Sequence, residues 1–113
     1  MDDRELLERA AKAVGIELEG DLHGNPGEWH PMYYEGKTYH SWDSLASDGD
    51  AFRIAVKLGF IVVVDEEMEW VGIHFSGKLG KYDWIEKFGK CRFAAARRAI
   101  TCAAAESACE KAK

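Results

Sequence analysis

An α+β fold, with an antiparallel sheet covered by helices on both faces (an α/β/α sandwich), is predicted by three features of this 113-residue chain. Apolar residues recur at helical spacing in three segments, at the beginning, middle and end. Short β-prone runs lie between them, separated by turns, so that successive strands pair antiparallel. The run Phe60-Ile61-Val62-Val63-Val64 is apolar throughout. That is the pattern of a strand buried on both faces, and it calls for helices above and below.

The first helix begins at Asp2 or Asp3, with Glu5 three residues after Asp2 as in a capping box. Leu6, Leu7, Ala10, Ala11 and Val14 share a face, and Gly15 is placed to stop the helix. Ile16-Glu17-Leu18-Glu19 then alternates like a short half-buried strand. Residues 20–31 hold three glycines and two prolines, which is loop chemistry. Two β-prone stretches flank Glu35-Gly36 and predict a tight hairpin over 32–39.

Ser47 or Asp48 caps the second helix, Ala51, Phe52, Ala55 and Val56 form its expected buried stripe, and Gly59 ends it. After the strand at 60–64, Asp65-Glu66-Glu67 turns the chain into a returning strand over 69–75. There Val71, Ile73 and Phe75 face one side and Trp70, Gly72 and His74 the other. Residues 76–81 are a loop, and 82–88 fit a strand or edge extension better than a helical turn. From Arg92 onward an alanine-rich helix follows from intrinsic propensity, with Phe93, Ala96, Ile100, Ala103 and Ser107 as its expected inner face.

The length predicts a single domain, 1–113, since domains typically run ~100–150 residues. Hydrophobic residues are 47% and the net charge is −5, a composition too apolar for a disordered tail. No apolar run approaches the ~20 residues that span a bilayer, and Met1-Asp2-Asp3 has the wrong charge for a secretion signal. Cys91, Cys102 and Cys109 cannot all pair within the chain, and Cys-x-x-Cys is absent. The expectation is a soluble protein of a reducing cytoplasm, without a membrane partner.

Several segments carry a resemblance. They are Asp3-Arg4-Glu5-Leu6-Leu7 with Ala10-Ala11-Lys12-Ala13, Trp42-Asp43-Ser44-Leu45, Asp48-Gly49-Asp50-Ala51-Phe52-Arg53 with Ala55-Val56-Lys57-Leu58, and Ala95-Ala96-Arg97-Arg98-Ala99-Ile100. In this order they resemble a family of small bacteriophage and prophage proteins, the phage α/β/α ("ABA") sandwich domain. The resemblance implies helix-on-sheet-on-helix architecture, phage or prophage origin and a bacterial cytoplasm. It implies no reaction and no catalytic positions.

Within the residues themselves, the strongest candidate surface is the stretch 29–42. Five aromatics, Trp29, Tyr33, Tyr34, Tyr39 and Trp42, fall in 14 residues. Tyr and Trp supply large contact area at low entropic cost, so these are the expected contacts to a host or phage protein. A second candidate is electrostatic. Residues 78–98 hold Lys78, Lys81, Lys87, Lys90, Arg92, Arg97 and Arg98 against Asp83 and Glu86, a net of +5 in an acidic chain. With Tyr82, Trp84 and Phe88 interleaved, this is the pattern of a nucleic-acid contact, for which Lys78, Lys81, Lys87, Lys90 and Arg92 are the expected residues.

Catalysis and metals find less support. His23, His30 and His40 are too loosely spaced for zinc, and Asp48-Gly49-Asp50 lacks the remaining calcium-loop ligands, with Gly59 at the twelfth position. Helix capping accounts for both aspartates. No motif ties His74 or Cys91 to a catalytic partner. The sequence therefore predicts no enzyme, no catalytic residues, no metal and no cofactor, and leaves the oligomeric state open.

Overall fold

Asp2 starts α1 (Asp3–Ala13): its Oδ1 accepts the Glu5 amide at 2.8 Å, one of the donors a helix start leaves without a partner. The Glu5 carboxylate turns outward to Arg9 at 3.0 Å, so half of the expected capping box forms. Gly15 stands just beyond the helix at φ +78°, where a side chain would be strained. Residues 16–19 keep their half-buried alternation, but their sheet contact is one bridge, Glu19 to Met32. The computed structural model describes residues 2–19, 31–75 and 82–111, with the side chains of Tyr39 and of residues 109–111 outside the description.

The remaining elements are β1 (Met32–Glu35), β2 (Thr38–Ser41), α2 (Asp48–Leu58), β3 (Ile61–Asp65), β4 (Trp70–His74), β5 (Trp84–Lys87) and α3 (Arg92–Lys111). The chain is α+β: three helices and two small antiparallel sheets, with helices packed against the sheet. β1 and β2 form the expected hairpin, but it turns at Gly36-Lys37, one residue later than expected, because Glu35 still pairs with Thr38. β3, β4 and β5 form a three-stranded antiparallel sheet in that order.

α3 is the hub of the fold. It packs on α1, α2, β4 and β5, and residues 99–105 are buried without a break. A helix surrounded on several sides has no single inner face, which is why a one-stripe reading misplaces Phe93 at its start, while Ile100, Ala103 and Ser107 are buried as expected. Alanines let the helices come close: Ala10, Ala11, Ala51, Ala99, Ala103 and Ala104 all lie in the main core cluster.

The strand at 60–64 departs most from expectation. β4, carrying the fully buried Val71 and Ile73, is the central strand, and β3 lies at the sheet edge. Ile61, Val62 and Val64 are exposed, Val62 by 38% and Ile61 by 62%. The helix cover that the described residues show most clearly is that of α3. α3 seals the Val71/Ile73 side, while the other side carries Trp70, Gly72 and His74 with the Tyr82 ring laid over them. A continuous apolar run is thus no proof of a doubly buried strand, because exposure depends on what lies beside it.

Candidate functional site

α2 sets up the site. Ser47 caps it by accepting the Asp50 amide at 3.2 Å, and Gly59 closes it in the left-handed conformation at φ +69°. Between those two ends the buried residues are Ala51, Ile54 and Ala55, which form the inward face. Phe52 and Val56 each follow an alanine by one position, about 100° around the helix, and so stand on its flank. Phe52 is 68% exposed and Val56 is similarly open, which corrects their expected place in the core.

Two further residues expected inside stand beside them. Phe93, on the first turn of α3, is 64% exposed, and Val62 belongs to the edge strand. The pairing of Val62 with Ile73 and of Val64 with Val71 places both valines on the sheet face that meets α3. Phe52, Val56, Val62, Phe93, Ala96 and Ile100 line one open groove of about 860 Å³ between α2, α3 and β3. Its walls are mainly apolar. At one end Arg97 donates to Asp48 at 2.7 Å and to the Leu45 carbonyl at 3.0 Å, which locks α3 to the start of α2.

The aromatic stretch fares differently. Trp29 lies outside the described residues, as does the Tyr39 side chain. Trp42 is 3% exposed and belongs to the core, so it is removed from the candidate surface. Tyr33 packs partly on that core and stacks on His40 with ring centroids 5.3 Å apart. Among the described side chains of this stretch, Tyr34 is the exposed aromatic. A second cavity, about 540 Å³, runs beside Tyr33, Tyr34, Trp42 and Ile54, with Arg53 and Lys57 at its rim.

The three arginines of the basic segment are engaged within the chain. Arg92 pairs with Glu66 at 2.6 Å and lies over the Phe88 ring, Arg97 pairs with Asp48, and Arg98 reaches Asp3 at 3.4 Å. Lys87 and Lys90 are exposed, and Lys78 and Lys81 lie outside the described residues. Among the described residues, no three His, Cys, Asp or Glu side chains gather as a metal site would require. His74 sits at one end of β4, stacked on Tyr82 at 4.2 Å; Cys91 follows β5 beyond Lys87, which pairs with Trp70 at the other end. The sheet holds these two groups apart.

Cys91 just precedes the first turn of α3, where the Ala94 and Phe93 amides lower its thiol pKa below the ordinary value. Cys102 is buried in the helix interface, and desolvation pushes it up to about 11. No helix among the described residues is long and apolar enough to cross a membrane. Comparison with known proteins leaves the groove to be interpreted on its own geometry: no protein-family model, curated protein or solved structure matched the chain.

Proposed function

We propose that this chain acts without catalysis, by binding another protein, and that the groove between α2, α3 and β3 is its contact surface. One observation carries the reading: Phe52, Val56, Val62 and Phe93, four large apolar side chains from three elements, converge in water on one groove. Isolated exposed apolar residues are ordinary, but a contiguous patch of this kind marks an interface. Among the described side chains of the hairpin, Tyr34 is the exposed tyrosine. The resemblance to phage sandwich proteins extends the reading to an accessory role of a phage or prophage product in a bacterial cytoplasm.

Capture of bound proteins from bacterial lysate, with and without nuclease, tests the proposal. Phe52→Asp with Phe93→Asp should lose the captured proteins, while Tyr34→Ala and the nuclease leave them unchanged. Loss with Tyr34→Ala alone would return the surface to the hairpin. Capture abolished by nuclease and by charge reversal at Lys87 and Lys90 would assign the chain to nucleic acid instead.

A further inference from the structure

We infer that the partner seated on this groove is a second copy of the same chain, joined through β3 by two-fold antiparallel strand pairing. The inference rests on the reading of the groove as a docking surface and names its occupant. β4 covers one edge of β3, and among the described residues no strand lies on the other.

The two edges of this sheet are built differently. β5 presents Trp-Ile-Glu-Lys, and its two charges discourage pairing with another chain. β3 presents Ile-Val-Val-Val-Asp, with no proline and no lysine, and it pairs residue for residue with β4 without a bulge. Such an edge is a template for another strand, and left open it is a hazard.

The strand is also complementary to itself. A two-fold axis at Val63 sets Val62 opposite Val64 of the second copy, and both lie on the groove side of the sheet. Phe52, Val56 and Phe93 of each copy then line the space beneath the joined strands.

At roughly 150–200 Å² for each large side chain, the exposed fractions of Phe52, Val56, Val62, Val64 and Phe93 on the groove face leave about 400–600 Å² of side chain open to a partner. Main chain along β3 and Ile61 on the other face add to this, toward the ~800 Å² per partner of a standard stable interface.

Sedimentation or light scattering on the full chain, followed by cross-linking, tests the pairing. Wild type should have twice the mass of one chain, and Val62→Lys should have the mass of one chain with an unchanged circular dichroism spectrum. Ile85→Lys, on the guarded edge, should remain dimeric. Val63→Cys in a Cys91→Ser, Cys109→Ser background should form an intermolecular disulfide on mild oxidation, because residues facing each other at the axis lie ~4.5–5.5 Å apart. Ile61→Cys, set opposite Asp65 of the second copy, should not.

A wild type monomeric up to about 1 mM overturns the pairing. If Phe52→Asp still abolishes capture of another protein in that case, the docking reading survives alone. A dimer untouched by Val62→Lys and by Phe52→Asp overturns the pairing and shows that copies meet elsewhere.

Discussion

Ser44 and Thr101, 57 residues apart, meet through hydroxyl oxygens 2.7 Å apart in the fully buried interior. Thr101 Oγ1 also lies 2.8 Å from the Arg97 carbonyl. A hydroxyl has one proton, so Thr101 donates to the carbonyl and Ser44 donates to Thr101. This bond, with the Arg97 contacts to Leu45 and Asp48, ties the segment before α2 to α3 and so sets the width of the groove.

Thr101→Val keeps the shape but strands the Ser44 hydroxyl, and should cost about 1–3 kcal/mol in urea unfolding. Ser44→Ala leaves Thr101 its carbonyl acceptor and should cost about 1 kcal/mol. The double variant should fall short of the sum by about 0.5–1 kcal/mol, since the two residues are in contact.

Burial separates the aromatic residues. Trp42→Ala removes a core side chain and should destabilise by about 3–5 kcal/mol. Phe52→Ser and Phe93→Ser, measured at dilution, should stay within about 0.5 kcal/mol of wild type, because both side chains are open to water. Equal losses at all three would place the two phenylalanines in the core.

Gly72 shows why the sheet needs a residue without a side chain there. A Cβ at this position would lie 2.5 Å from the Tyr82 ring and 2.8 Å from the Trp70 ring. Gly72→Ala should therefore destabilise by about 1–3 kcal/mol through overpacking. Adding Tyr82→Ala should relieve part of that loss, a coupling that a double-variant cycle reads directly.

The cysteines should separate by pH and by folding. Cys91, exposed and lowered by the α3 amides, should be alkylated by iodoacetamide well before Cys102, as read by peptide mass. Cys102 should react only with unfolding. Its folded pKa is raised to about 11, so its contribution to stability is complete below the unfolded value and is lost as pH rises through that range. Stability should fall between pH ~9 and 11 in wild type and less so in Cys102→Ala.

Local signals were legible wherever the structure depends on neighbours in sequence. Asp2, Ser47, Gly15 and Gly59 bound the first two helices as their chemistry predicts, and the hairpin forms with its turn at Gly36-Lys37, one residue beyond the expected place. The proposed groove was not legible as a site, although Phe52, Val56, Val62 and Phe93 were all visible as large apolar residues. Hydrophobic pattern says that a side chain gains from leaving water, and it does not say whether a neighbour of the same chain is there to take it. Trp42 shows the converse, since an aromatic in a turn-rich stretch looks like a contact until the core is seen to close over it.

The sequence by itself determined the three helices, the hairpin, the returning strand and the α+β class, because caps, turns and periodicity act within a few residues. Tertiary packing alone decided that β4 and not β3 is central, that α3 is enclosed by α1, α2 and the sheet, and that one apolar groove stays open. Those outcomes depend on how far alanine contacts and the Ser44–Thr101 bond let the helices approach, distances set between segments remote in the chain.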